Sequence, residues 1–332
     1  MTEQSLFSND IVSKIKTTQS AEIIQPVQVG GSDYKNELVF FVKPEIFDLG
    51  SEEKISNALA MFKEKFQSFN VHVHGAAIIP GSALEKHEIM NWHYGFINQL
   101  SRKASEIVDP ETRARLFETL DLNDTGKHRI LGGHEFLKAF DSDIETLSEV
   151  WFGKGAQKLR SGFYFVEETF KGEPVILVNG FHPSQLEHFT RPDHRIYLML
   201  LHTDTDWEAM KFDLVGDTFP ERAKPGSIRG ELFKEPDRYG QDEVSINTNG
   251  VHLSAGPFEA AFEVVNFFGP LLNLDPQKTP PLVITQAIQA GFSMERAIGL
   301  LENPTVGESD LFSMTENMNT AQAVALAKES LL

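Results

Sequence analysis

Short apolar runs alternate with segments of helical spacing in this chain, and their order limits the folds open to it. The runs are rich in Val, Ile, Leu and Phe and are bounded by Pro, Gly or polar residues, which is typical of strands. The predicted strands are 37–44, 71–79, 194–202 and 244–251. The predicted helices around them are 51–69, 82–99, 204–210 and 257–268. With 101–189 set aside, the core order is strand, helix, strand, strand, helix, strand.

This order predicts an α+β fold, a ferredoxin-like βαββαβ antiparallel sheet with helices on one face. The core then comprises 37–100 and 190–270. Residues 1–36 are polar and weakly periodic, and we interpret them as an N-terminal extension with one short helix. Residues 101–189 combine helical stretches with a predicted hairpin, 163–166 and 175–178, and form a mixed α/β insertion. Residues 271–332 are predicted to form a helical C-terminal extension.

Charge and composition exclude several classes of protein. The formal net charge of −18 argues against a nucleic-acid surface, because phosphate backbones are bound by pooled Lys and Arg. No apolar run is long enough to span a bilayer, and the N-terminus lacks the apolar stretch of a secretory signal. The absence of cysteine rules out disulfides and thiolate chemistry. We therefore expect a cytoplasmic protein without nucleic-acid or membrane partners.

Separated segments place chemically useful side chains in the predicted core. They are Lys43-Pro44 after the first strand, Gly216-Asp217-Thr218 in the long loop, Lys224–Gly230 with Arg229, and Asn249–Ser254 with His252, followed by Glu263 on the next helix. A single histidine at a strand end is more often structural than catalytic. The prediction of a phosphate site with a histidine nucleophile therefore depends on the whole set.

This set resembles the nucleoside diphosphate kinase family. That family carries Lys-Pro after its first strand, then Gly-x-Thr-x-Pro and Pro-Gly-(Thr/Ser)-Ile-Arg-Gly. It continues with Asn-x-x-His-x-Ser and a Glu eleven residues beyond the His, as Glu263 is beyond His252 here. The motifs occur here in the same order and cover about 37–100 and 190–270, slightly under half the chain.

The resemblance implies a role for each matching residue. His252 is the expected nucleophile, which takes the terminal phosphate of a nucleoside triphosphate and passes it to a diphosphate. Glu263 and Ser254 complete the expected catalytic group by orienting the imidazole. The expected nucleotide-binding residues are Lys43, Thr218, Arg229, Asn249 and Tyr94. Magnesium is expected on the phosphates rather than in a protein cage, and the family implies a homo-oligomer.

The sequence also departs from the family in three places. Phe212, with Lys211 beside it, stands where the family has a phosphate-binding arginine, and Leu253-Ser254-Ala255-Gly256 replaces the usual residues after the histidine. The helical hairpin that clamps the base is not recognisable, and 101–189 stands in its place. His182 and Arg191 are candidates for the lost phosphate contacts. Two alternatives follow: a nucleotide-binding or regulatory module with little turnover, or phosphohistidine transfer to a non-nucleotide acceptor.

Overall fold

The computed structural model describes residues 3–31, 33–48 and 50–332. The chain divides into a larger unit, Met1–Ile89 with Phe189–Leu332, and a smaller unit, Met90–His188. None of the helices in the described residues has the length and apolar character needed to cross a membrane. The division of the chain into core, insertion and two extensions remains a prediction.

The strands of both units are short. In chain order they are β1 Glu22–Gln25, β2 Asn36–Val42, β3 Val71–Pro80, β4 Arg129–Gly132, β5 Gln157–Arg160, β6 Phe163–Phe170, β7 Glu173–Val178, β8 Arg195–Thr203, β9 Val251–Leu253, β10 Thr305–Val306 and β11 Ser309–Asp310.

The α-helices lie between these strands and at both ends of the chain. They are α1 Asn9–Thr17, α2 Glu45–Asp48, α3 Glu52–Ser68, α4 Gly81–Lys86, α5 Ile89–His93, α6 Gly95–Ile107, α7 Pro110–Thr119, α8 Gly133–Phe140, α9 Ile144–Gly153, α10 His182–Thr190, α11 Trp207–Ala209, α12 Ile228–Lys234, α13 Pro257–Glu263, α14 Gly269–Leu272, α15 Leu282–Gln289, α16 Met294–Gly299, α17 Leu311–Met314 and α18 Thr320–Leu331. Two π-helical segments, Met210–Val215 and Val264–Phe268, directly continue α11 and α13.

The sheet of the larger unit has the strand order β1-β3-β8-β2-β9, and every neighbouring pair is antiparallel. One of its two edge strands, β1, was not predicted, because Glu22–Gln25 is too short for its alternation to be recognised within a polar segment. The predicted strand 244–251 was wrong for most of its length, since only Val251–Leu253 is extended. Polar side chains of the preceding segment bond locally instead, as Ser245 does with Thr248 at 3.0 Å.

Helices cover both faces of this sheet, so the prediction of helices on one face was wrong. Successive residues of a strand point to opposite faces. The ring of Phe40 contacts Phe66 of α3 at 5.2 Å, whereas Phe41 contacts Phe267, just beyond α13, at 5.4 Å. All seven residues of β2 are accordingly buried, which explains why residues 38–42 form an unbroken apolar run rather than an alternating one.

The smaller unit is built on a mixed sheet of order β4-β7-β6-β5. The predicted hairpin is confirmed as the antiparallel pair β6 and β7, while β4 runs parallel to β7. Leu100 and Leu116, from α6 and α7, join one apolar cluster of this unit. Phe136 and Trp151, from α8 and α9, join a second one. The unit therefore combines helices with a sheet of mixed direction.

Helices α15 to α18 form a separate apolar cluster in the larger unit. Its buried members include Ile284 of α15, Ala323 of α18 and Phe258 of α13. The tail is therefore packed against the helix that carries Glu263, because Phe258 and Glu263 belong to the same element.

The buried carboxylate of Glu37, at the start of β2, joins three segments of the larger unit. Its Oε2 accepts hydrogen bonds from the backbone N–H of Gly30 at 2.6 Å and from Nε2 of His202 at 2.9 Å. Its Oε1 accepts from the backbone N–H of Leu282, the first residue of α15, at 2.8 Å. Glu37 is 5% exposed, so these bonds are shielded from water. They fix the N-terminal segment and the helical tail to one end of the sheet.

Replacing Gly31 by alanine tests how tightly this end is packed. A Cβ on Gly31 would lie 2.5 Å from Nδ1 of the fully buried His202 ring. We expect Gly31→Ala to lower the free energy of unfolding by about 1–3 kcal/mol, because a rigid ring cannot yield. Urea unfolding followed by circular dichroism measures it. The matched control is Gly269→Ala, where an added Cβ meets nothing within 4 Å. Equal stability of the two variants would contradict this packing.

Candidate functional site

The register between β2 and β9 brings the lysine and histidine motifs to one face of the sheet. Phe41 pairs with His252, and the backbone N–H of Lys43 continues the ladder by donating to the carbonyl of Gly250 at 2.9 Å. Lys43 lies two residues beyond Phe41, so its side chain shares the face of Phe41 and His252. The two motifs are separated by about 200 residues in sequence but adjacent in the sheet.

The imidazole of His252 is held by a buried carboxylate. Its Nε2 lies 2.7 Å from Oε1 of Glu263, and Ser254 donates its hydroxyl to Oε2 of the same carboxylate at 2.5 Å. Ser254 is itself fixed, because the backbone N–H of Val39 donates to its Oγ at 2.9 Å. A carboxylate only accepts, so Nε2 carries the hydrogen, and in the neutral imidazole Nδ1 then carries the lone pair. This is the tautomer that a nucleophilic Nδ1 requires.

Local sequence explains how Glu263 reaches this position. Pro257 occupies the first turn of α13, where its missing N–H costs nothing, and Gly256 precedes it in an extended conformation. The helix brings Glu263 back beside the end of β9 and widens into the π-helical segment Val264–Phe268 immediately afterwards. Such π-helical turns are uncommon and are frequently found at functional sites.

One face of the His252 ring is covered by Phe41. The two rings are stacked, with centroids 4.5 Å apart and an angle of 17° between their planes. The His252 side chain is nevertheless 19% exposed, while Glu263 is completely buried. The arrangement therefore restricts rotation of the imidazole and keeps part of it accessible.

A second cluster forms around Asn249, three residues before His252. The Nζ of Lys43 donates to Oδ1 of Asn249 at 2.7 Å. The Nδ2 of Asn249 donates to the backbone carbonyls of Thr218 and Ile246, at 3.2 Å each. Asn249 thus fixes the lysine head group and joins two loops. The sequence predicted it as a nucleotide contact, and the structure also gives it this supporting role.

Arg229, near the start of α12, is buried and spans the neighbouring loop. Its Nη1 donates to the carbonyl of Gly216 at 3.0 Å, and its Nη2 donates to the carbonyl of Val251 at 2.9 Å. Its Nε is buried and makes no hydrogen bond within the described part of the chain. A buried donor without an acceptor is costly, and an anion near the guanidinium would supply one.

Burial lowers the pKa of the cations of this cluster. It lowers the pKa of Lys43 to about 8, although Glu45 acts in the opposite direction. Burial also lowers the pKa of Arg229 to about 10, opposed by Asp217 and Glu45. Burial lowers the pKa of Lys211 as well. Buried positive charge is costly without an anion nearby, which fits a phosphate site.

The remaining predicted residues differ in their surroundings. Thr218 is exposed, and the contact seen for it uses its carbonyl, so the role of its hydroxyl remains a prediction. Tyr94 lies in the smaller unit, where its ring meets His182 edge-on at 5.4 Å, and the roles of both stay predictions. Arg191 forms an exposed ion pair with Asp193 at 2.9 Å.

The sequence did not predict two residues that support the site. Phe41 lies beneath the imidazole, and Oε1 of Glu45 accepts the backbone N–H of Gly250 at 2.9 Å, which fixes the turn before β9. Both follow from the register of β2 against β9. A single sequence does not reveal that register, although the proximity of Glu45 to the Lys-Pro motif was a usable signal.

The donor set suits phosphate oxygens better than a protein-held metal. Lys43, Arg229 and Asn249 offer two cations and an amide, and Glu45 already accepts the N–H of Gly250. Magnesium bound to the phosphates of a nucleotide fits these groups, because it needs few ligands from the protein.

Comparisons with known proteins give little beyond this geometry. No family model matches the sequence, and no curated protein matches it. Among solved structures, the crystal structure of an NDP kinase from Pyrobaculum aerophilum is similar at 16% identity, with a TM-score of 0.33. That match covers 70% of this chain and 95% of the other. So distant a likeness carries no argument about the site, which stands on its own residues.

Removing the Ser254 hydroxyl tests the support of the buried carboxylate. Ser254→Ala deprives Glu263 of a donor and the Val39 N–H of its acceptor. We expect the free energy of unfolding to fall by about 1–3 kcal/mol, measured by urea titration. The control is Ser68→Ala, whose exposed hydroxyl bonds only the carbonyl of Lys65 at the end of α3. A Ser254 variant as stable as this control would show that the bond contributes little.

Proposed function

We propose that this protein is a nucleoside diphosphate kinase-type phosphotransferase that works through a phosphohistidine on His252. The observation that carries the proposal is the imidazole whose Nε2 is tied to the buried Glu263, 2.7 Å away, on the same sheet face as Lys43. The strand order β9-β2-β8-β3 further supports a ferredoxin-like βαββαβ core. The motif resemblance then indicates which reaction these groups serve.

In the first half-reaction, the lone pair of His252 Nδ1 attacks the terminal phosphorus of a nucleoside triphosphate. An N–P bond forms, the bridging O–P bond breaks, and the nucleoside diphosphate leaves with the electron pair. The imidazole gains positive charge as the bond forms. Glu263 stabilises that charge through the Nε2–H, and its burial strengthens the interaction.

In the second half-reaction, a terminal phosphate oxygen of another nucleoside diphosphate attacks the same phosphorus. The N–P bond breaks, and its electron pair returns to Nδ1, which restores the neutral imidazole and releases a nucleoside triphosphate. Lys43 and Arg229 would bind phosphate oxygens, with Asn249 and the Thr218 hydroxyl as additional donors. Magnesium, carried on the phosphates, would neutralise part of their charge. Assembly as a homo-oligomer is also part of the proposal.

A nucleotide-binding module with little turnover is the second candidate. Phe212 stands where a phosphate-binding arginine is expected. Arg229 and Asn249, moreover, already donate to backbone carbonyls, so both have a structural role besides any ligand contact. Such a module would bind diphosphates through Lys43 without forming a phosphoenzyme.

Radiolabel transfer separates the two candidates. The full-length protein is incubated with magnesium and γ-labelled ATP, freed of nucleotide, and then mixed with unlabelled diphosphates. We expect acid-labile, alkali-stable label on the protein that passes to the diphosphates. The label should be absent from His252→Ala, because this variant lacks the imidazole that would carry the phosphate. His87→Ala is the matched control, since His87 is exposed at the end of α4, and it should label normally.

The other outcomes are equally informative. Nucleotide binding without label would favour the binding module. Label that discharges onto no diphosphate would point to a non-nucleotide acceptor. Label that persists in His252→Ala would contradict the proposed nucleophile.

Diphosphate affinity should depend on pH through Lys43. The pKa of its ammonium is about 8, so the group is charged below this value and becomes neutral above it. Phosphate binding that requires the charged ammonium should weaken by about tenfold between pH 7 and pH 9, because the charged fraction falls by that factor. Arg229 stays protonated in this range, because its pKa is about 10.

Calorimetric titration of ADP across this range measures the effect. Lys43→Met should bind ADP more weakly at pH 7 and lose the decline at alkaline pH. A decline that persists in this variant would assign the titration to another group.

A further inference from the structure

The loop between the π-helical segment Met210–Val215 and α12 is anchored by hydrogen bonds from the proposed phosphate-binding groups. Arg229 donates to the carbonyl of Gly216, and Asn249 donates to the carbonyl of Thr218. The side chain of Asp217 also accepts the backbone N–H of Phe219 at 2.9 Å. The peptide groups that follow Gly216 and Thr218 are thus fixed, so the next side chain leaves the loop from a defined point.

The residue at this point is Phe219, and 38% of its surface is exposed. Single exposed phenylalanines are common on protein surfaces, so exposure alone defines no site. Here the guanidinium carbon of Arg222 also lies over the ring, 4.5 Å from its centroid, in a cation–π contact. The pair forms an aromatic and cationic surface directly beside the anchored loop.

Distance links this surface to the phosphate-binding groups. The Thr218 carbonyl oxygen lies 3.2 Å from Nδ2 of Asn249, whose Oδ1 is bonded to Lys43. The backbone nitrogen of Phe219 is attached to that same carbonyl carbon. A nucleotide whose phosphates reach Lys43 must extend its ribose and base away from the cluster. Phe219 follows this anchored carbonyl directly in the chain, and its side chain is partly exposed.

We propose that Phe219, backed by Arg222, is the stacking surface for the nucleobase. This inference rests on the proposed function, and it names the residue that replaces the base clamp that the sequence lacks. A phenylalanine ring contacts the π-face that every base has, and it makes no hydrogen bond that would select one base over another. The surface therefore favours binding of any nucleoside diphosphate over a base-free diphosphate.

The test compares ADP with inorganic pyrophosphate, both with magnesium, by calorimetric titration of the full-length protein. Pyrophosphate offers the phosphates without the base. We expect Phe219→Ala to bind ADP about tenfold more weakly, while its affinity for pyrophosphate stays at the wild-type value. Phe219→Trp should retain wild-type affinity for ADP, because it keeps an aromatic face. Phe233→Ala, in which a 46% exposed phenylalanine on α12 is removed, is the matched control and should bind both ligands normally.

Two results would overturn the inference alone. Unchanged ADP affinity in Phe219→Ala means that the base does not use this ring, and equal loss for both ligands means that the residue only supports the loop. Failure of the wild-type protein to bind either ligand would overturn the proposed function as well. ADP binding that depends on Phe219, in a protein that takes no label from ATP, would uphold the stacking surface and reject the phosphotransfer.

Discussion

The buried carboxylate of Glu263 is the constraint on which the site depends. An unpaired charge in the protein interior costs several kcal/mol, so this group must keep its partners. The partners are the imidazole of His252 and the hydroxyl of Ser254, at 2.7 and 2.5 Å. Because Ser254 is in turn bonded to Val39, the same network joins α13, β9 and β2. The stability of the sheet edge and the orientation of the His252 imidazole therefore arise from one set of hydrogen bonds.

The proposed phosphate-binding groups are coupled to the fold in a comparable way. Asn249 fixes the head group of Lys43 while it joins two loops, and Arg229 spans Gly216 and Val251. The cations are therefore held in place before any ligand arrives, which is the condition under which charge stabilisation is most effective. Holding them there is costly, as the lowered pKa of Lys43 shows, and an anionic ligand would offset that cost.

Much of this organisation could be predicted from the sequence, and the rest depends on pairings that the sequence does not reveal. Helical spacing and capping residues located α3 and α13, and apolar runs located β2, β3 and β8. Motif order alone predicted that His252, Glu263 and Ser254 lie together. The β2–β9 register, which brings in Phe41 and Glu45, is a long-range property. Strand β1 and the shortened β9 were missed because edge strands of three or four residues carry almost no periodic signal.

Because Glu263 holds Nε2 of His252, we expect the phosphate to be carried on Nδ1. The identity of the phosphohistidine isomer tests this expectation most directly. The protein phosphorylated by ATP is hydrolysed in alkali, and the phosphoamino acid is separated by chromatography against both standards. We expect the Nδ1 isomer in the wild-type protein. The Nε2 isomer, or phosphoserine at Ser254, would contradict it, because either product would place the reacting atom on the side occupied by Glu263.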